Sequence, residues 1–350
     1  MDQPEVIDVR RDEQLNIARL ELYLREQLDG TNGAFNVRQF GGGHSNLTYL
    51  IQFGKNEFVL RRPPLGPIAP SAHDMAREHK VLSRLSQYFP LAPCSYHLCE
   101  DVSVIGAHFH IMERRRGVVI RTDLSPLFMN DEVMANQIGN SIVDTLVDLH
   151  HLDPAEIGLD NLGHPEGYLE RQVSGWIQRW DATQDQPRPD ADLLTRWLCD
   201  NRPIQVSTSL VHNDYKLDNI LVDADNPAKF VAVLDWDMST RGDPLCDLGY
   251  LLNWWGESGD DQSWIAAGSL PSWRAGFPSR TNIVDRYVAR TGFDPVAIRW
   301  HHVFGTFRLA VIIQQIYVRY LRGQTQDHRF RKYNARVATL IKKSLTLAEV

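Results

Sequence analysis

The chain has 350 residues, of which 43% are hydrophobic and 23% charged, and a formal net charge of −7. That length exceeds what one simple core organises and predicts two lobes, while the acidic balance argues against general nucleic-acid binding. No uninterrupted apolar run reaches the roughly 18 residues of a membrane span, and the opening MDQPEVIDVRRDEQ lacks a signal-peptide core, so a cytoplasmic protein with no membrane contact is the expectation.

Residues 11–28 carry Leu15, Ala18, Leu22 and Leu28 at helical spacing and predict a first helix. The texture then changes. FNVRQF, LTYLIQF and FVLRR read as three antiparallel strands, joined by the turns GGGHSN and GKNE. PPLGPIAPS is too rich in proline for a helix. HDMAREHKVLSRLSQYF predicts a helix, and HFHIMERRRG a further strand running into a connector at Glu113 to Gly117. Beyond it the pattern turns helical. NQIGNSIVDTLVDLHHL has the apolar spacing of a buried helix, residues 182–190 are a polar interruption, and helices dominate from Tyr287 onward. The expected organisation is a sheet-rich part over 1–113, a hinge over 114–117 and a helical part over 118–350. A cleft between two such lobes commonly holds a ligand.

Four cysteines, Cys94, Cys99, Cys199 and Cys246, have no zinc-ligand spacing and are expected as free thiols. From Val296 to Ala348 ten Lys/Arg face a single acid, Asp327. This run reads either as a solvated helical face or as a surface for an anionic ligand.

Chemistry concentrates in VHNDYKLDNILV, residues 211–222. Asp214 is followed five residues later by Asn219, with Lys216 in between, and Asp235 closes the next strand-like run in FVAVLDWD. Phosphoryl transfer from ATP needs magnesium, which takes oxygen ligands while keeping some waters. Asn219 and Asp235 offer one oxygen each. Asp214 can orient and accept the proton of an attacking hydroxyl, and Lys216 can offset charge on the transferring group. His212, Asp214 and Asn219 match the kinase catalytic-loop spacing H-x-D-x-x-x-x-N, and LDWD follows with Asp235 sixteen residues after Asn219. Alone, the loop could equally be a turn capped by Asx side chains.

With these motifs the chain resembles the aminoglycoside phosphotransferase-like branch of the protein-kinase-like fold. VLDWDMSTRGDPLCDLGYLL is most similar to the kinase-like domains associated with acyl-CoA dehydrogenases of the ten/eleven type, and GGGHSNLTYLI and FVLRRPP agree. The resemblance spans roughly residues 35–320. It implies an α+β fold with a small antiparallel-sheet N-lobe and a larger, mostly helical C-lobe, using ATP and Mg2+. Asp214 takes the place of the catalytic aspartate, Asn219 and Asp235 those of the metal ligands, and His212 that of the loop brace. Gly242, Asp243 and Asp247 match the supporting GDPxxDL segment. Gly42, Gly43, Ser45 and Asn46 match the loop over the phosphates. Arg61 or Arg62 stands where kinases carry a strand lysine, and Glu78 matches its helix partner. Glu113 to Arg115 match the hinge whose backbone meets adenine.

Asp235 and Gly242 lie only seven residues apart, too close for the activation segment of a protein kinase, so a small-molecule acceptor is expected. The basic C-terminal run disfavours polycationic aminoglycosides. The resemblance implies a hydroxyacyl-CoA thioester and a functional link to an acyl-CoA dehydrogenase. A nucleotide- or acyl-CoA-binding pseudokinase and an aminoglycoside kinase are the competing readings. LLNWW with Trp264, Trp273 and Trp300 is either an acyl pocket or core packing.

Overall fold

A computed structural model describes residues 6–42, 46–66, 74–121, 123–205, 207–268, 270–325 and 328–350. It divides into two compact units. The first comprises Met1–Gly117, Ile157–Leu159 and Val231–Ser239, and the second the remainder. The segment that carries Asp235 therefore groups with the sheet-rich unit, far from it in sequence.

The first unit contains β1 (Val6–Ile7), α1 (Ile17–Gln27), β2 (Phe35–Phe40), β3 (Leu47–Phe53), β4 (Asn56–Arg62), α2 (Met75–Leu85), β5 (Ser95–Cys99) and β6 (Phe109–Glu113). The strands form one sheet in the order β1-β2-β3-β4-β6-β5. Every pairing in it is antiparallel. Because strand side chains alternate between faces, Tyr49, Ile51 and Phe53 of β3 enter one core with Leu60, Phe109, Ile111 and the α1 residues Leu20 and Leu24. α1 starts later than the apolar spacing predicts, because the Asn16 side chain accepts from the Arg19 amide at 3.2 Å and caps the helix there. Asp74 caps α2 in the same way.

The second unit contains β7 (Val118–Val119), α3 (Glu132–His150), α4 (Tyr168–Asp181), α5 (Pro189–Asp200), β8 (Ser209–Val211), β9 (Ile220–Val222), β11 (Thr240–Gly242), α6 (Leu245–Trp254), α7 (Gln262–Gly268), α8 (Arg280–Thr291), α9 (Pro295–Leu321) and α10 (Tyr333–Ala348). The remaining strand of the chain, β10 (Phe230–Val233), leads to Asp235. β8 pairs with β11, and β7 with β9. The polar interruption expected over 182–190 is the break that separates α4 from α5.

α9 is the core helix of this unit. By length and composition alone it would cross a membrane, but 78% of its most apolar 18-residue window is buried inside the protein. Its buried Trp300, Phe304 and Phe307 join Trp176, Trp180 and Leu194 in one cluster. α6 crosses α9 at two glycines. A Cβ on Gly249 would lie 2.3 Å from the His301 carbonyl oxygen, and one on Gly305 2.7 Å from the Gly249 oxygen. Gly249→Ala therefore overpacks the crossing and is expected to cost about 3 kcal/mol. A denaturant midpoint equal to that of the unaltered protein would refute this close approach.

Candidate active site

In the first unit the register of β4 decides which arginine faces the helix glutamate. Arg61 sits opposite Thr48 on β3 and His110 on β6. Its guanidinium forks, Nη1 bonding Glu78 Oε1 and Nη2 donating to Asp235 Oδ1 at 2.6 Å. Arg62 points to the other face and donates to the Ile105 carbonyl at 3.0 Å. Planar donors in a fork suit two carboxylates better than a single ammonium would.

Glu78 is fully buried. Burial opposes its charge, but Arg61 and then His110 outweigh that and hold its carboxyl at about 2. The Trp236 amide also donates to Oε1 at 3.3 Å, and His110 Nε2 lies 3.0 Å from Oε2. Asp235 itself is left-handed, at φ 70°. Its carboxylate keeps one oxygen beyond the Arg61 bond, and its side chain is a quarter exposed.

Asn46 donates to Asp237 Oδ2 at 3.0 Å. Burial, then the charges of Asp235 and Glu78, push the Asp237 carboxyl up to about 7. The sequence reading left Asp237 without a role, although its place two residues after Asp235 is a visible signal. Gly42 is exposed just after β2, and Gly43 and Ser45 lie outside the described residues. At the expected hinge, Glu113 Oε2 accepts from the Cys94 amide at 3.0 Å and lies 2.9 Å from Arg115 Nε in an ion pair. Those two side chains are paired with each other.

In the second unit, β8 delivers the chain into the loop 212–219, and a short 3₁₀ turn over Leu217–Asn219 leads into β9. The Asp247 carboxylate, fully buried on α6, organises this loop. It accepts from the His212 amide at 2.6 Å, from the Asn213 amide at 2.7 Å and from His150 Nε2 at 3.2 Å. Burial raises its pKa, but the His150 hydrogen bond and charge, followed by His212, bring it below the ordinary carboxylate range. His212 is buried, and its Nδ1 accepts from the Asp214 amide at 3.2 Å. It braces the loop from within.

Asn213 is held at φ 66°. Tyr168 donates to its side chain at 2.9 Å and Arg308 to its carbonyl at 3.1 Å. Arg308, counted in the sequence with the basic C-terminal run, is buried with Tyr250 and Trp176 rings about its guanidinium at 5.0 and 5.2 Å. Arg299 of the same run pairs with Glu349 at 2.6 Å. The free basic face is thus smaller than the residue count implies. Composition cannot tell which side of a helix a residue occupies.

Asp214, Lys216 and Asn219 come together. Lys216 Nζ lies 3.1 Å from Asp214 Oδ1, and Asn219 Nδ2 donates to Asp214 Oδ2 at 2.7 Å and to its carbonyl at 2.9 Å. Since both partners of Asn219 only accept, its nitrogen faces them and its Oδ1 is left for another donor or a cation. Lys216 also sits 4.9 Å over the Trp254 ring. Burial disfavours its charge, yet Tyr250, Asp214 and Asp218 together raise its pKa above the ordinary value. Burial, and then Asp214, raise the Asp218 carboxyl, with Lys216 opposing. Tyr250 and Trp254 stand four apart on α6, and only that helical spacing hinted at a shared face. Of the other tryptophans, Trp255 and Trp300 are buried and hydrogen-bond backbone carbonyls, so they are core.

Asn219 Oδ1 in the second unit and the second Asp235 oxygen in the first are each of the oxygen type that magnesium takes.

The chain matches the family model "Phosphotransferase enzyme family" over residues 36–297. It is 36% identical over 334 residues to acyl-CoA dehydrogenase family member 11 of Mus musculus, covering 92% of this chain and 42% of that protein. The chain thus spans less than half the length of this curated relative. Among solved structures, a protein of Ralstonia eutropha JMP134 provisionally named an aminoglycoside phosphotransferase superposes with TM-score 0.81 at 28% identity, over 96% of this chain and 99% of that one. An aminoglycoside 2'-phosphotransferase solved as its GDP complex gives TM-score 0.59 at 13% identity, over 94% and 98%. The α+β, protein-kinase-like fold expected from the sequence agrees with these neighbours. With three quarters of its length inside the family model, the chain belongs to the phosphotransferase enzyme family of aminoglycoside phosphotransferase-like proteins.

Proposed function

We propose that this chain is an ATP- and Mg2+-dependent small-molecule kinase that phosphorylates a hydroxyl group, with a hydroxyacyl-CoA thioester as its acceptor. The observation that carries the reading is the Asp214 carboxylate, set between Lys216 and Asn219 on a loop braced by Asp247. In this reading Asp214 orients the acceptor hydroxyl and takes its proton. Lys216 offsets charge on the transferring group. Arg61, aimed by Glu78, meets the nucleotide phosphates. The metal roles belong to Asn219 and Asp235, and magnesium, when bound, neutralises phosphate charge. Membership of a phosphotransferase family supports the reaction class. The CoA thioester and a working link to a dehydrogenase are supported by the name of the mouse relative.

Incubation with ATP, magnesium and hydroxyacyl-CoA thioesters of several chain lengths tests the proposal through ADP release. Acceptor-dependent ADP is the expected result. Background ADP across the whole panel overturns it, and phosphorylation of kanamycin-like compounds alone turns the assignment to an aminoglycoside kinase. The arginine in place of a strand lysine favours a second reading, a pseudokinase that binds nucleotide without transfer. Calorimetry showing ATP binding indifferent to magnesium would support that alternative.

A further inference from the structure

The first unit contains a partly buried hydrogen-bond chain, leading to Glu78, whose histidines and serine have no role above. His79 Nδ1 lies 2.9 Å from Ser95 Oγ, Ser95 Oγ lies 3.2 Å from His110 Nδ1, and His110 Nε2 lies 3.0 Å from Glu78 Oε2. Glu78 then bonds Arg61, which donates to Asp235. His110 has no exposed surface.

The donor in the last of these bonds follows from charge. An ionised carboxylate only accepts, so His110 must carry a proton on Nε2. Ser95 Oγ, which can both donate and accept, meets the other ring nitrogen and anchors the far side of the ring.

Oxygen by oxygen, Glu78 Oε1 receives Arg61 and the Trp236 amide, whereas Oε2 receives His110. Donors on both oxygens fix the plane of the carboxylate. The plane matters here because a guanidinium fork, unlike an ammonium, must be matched in orientation as well as distance. β-sheet register explains why His110 can do this: it is the cross-strand partner of Arg61, so both side chains share the face that α2 covers.

We infer that His110, anchored by Ser95, is a positioning residue that orients Glu78 and through it aims Arg61 at the nucleotide phosphates. The inference rests on Arg61 having the phosphate role assigned above.

The test compares His110→Phe, which keeps a flat ring without a donor, with His110→Gln, whose amide can reach Glu78. ATP, ADP and adenosine are titrated calorimetrically. The Phe variant is expected to weaken ATP and ADP about tenfold, as for the loss of one charge-assisted hydrogen bond. Adenosine should bind as before, and Gln should recover most of the loss. Equal weakening of all three ligands, or unchanged ATP affinity in the Phe variant, overturns the inference. Imidazole 15N NMR of the unaltered protein supplies an arm independent of nucleotide. A proton on His110 Nε2 is expected, and an Nδ1-only proton overturns the geometry. Absence of ATP binding by the unaltered protein would instead sink the kinase reading and the aiming of Arg61 with it, while the NMR arm still decides whether His110 holds Glu78.

Discussion

Replacing Asp214 with asparagine is expected to lower turnover by about 10²–10⁴-fold while leaving nucleotide affinity unchanged. The side chain keeps its volume and one acceptor, so the contact with Asn219 survives in part. It loses the charge that pairs with Lys216 and the ability to take a proton. The nucleotide contacts assigned to Arg61, Glu78 and Asp235 involve no atom of residue 214. Acceptor-dependent ADP release and ATP calorimetry on the same preparation separate the two effects. Turnover equal to that of the unaltered enzyme would remove Asp214 from the chemistry. A parallel loss of ATP binding would make it a structural residue.

The largest effect on stability is expected at Asp247. Its carboxylate is the acceptor for two buried backbone amides and for His150. His150 in turn meets the Tyr287 hydroxyl at 2.8 Å, so the network reaches α8. Asp247→Ala leaves those donors unpaired in a site without water access, at about 1–3 kcal/mol for each buried donor. The combined cost is taken as about 3–5 kcal/mol, that of breaking a buried ion pair by removing one partner. For a protein of this size that corresponds to a fall of roughly 4–7 °C in Tm. Thermal unfolding followed by circular dichroism checks it. A Tm within about 2 °C of the unaltered protein would show that the carboxylate does not hold the loop.

Much of this was legible from residues alone. β2, β3 and β4 are rich in apolar and aromatic residues, and their turns contain glycine, so the meander was readable. The acids and amide of the catalytic loop lie within a few residues of each other, which makes their convergence a local matter. What the sequence concealed was non-local. β5 and β1 are short, and the pairing of β8 with β11 joins segments about thirty residues apart. Choosing Arg61 over Arg62 needs the register of β4 against β6, because one step along a strand reverses the face. Arg308 looked like a member of a basic surface because its burial depends on which side of α9 meets α6. His110 was unremarkable in HFHIME until its strand partner was known.

Among the described residues, only three other than glycine adopt left-handed backbone, and two of them are Asn213 and Asp235. A side chain in that conformation costs on the order of 1 kcal/mol, a penalty that asparagine and aspartate bear best. Both sit in the segments assigned to the chemistry, so these places store conformational energy that the surrounding packing must supply. Relaxation toward glycine at 213 would favour heat tolerance and loosen the geometry of the residue that follows, while valine, isoleucine or threonine is closed to drift at either position. Thermal robustness and catalytic competence are thereby set against each other at two points of the backbone.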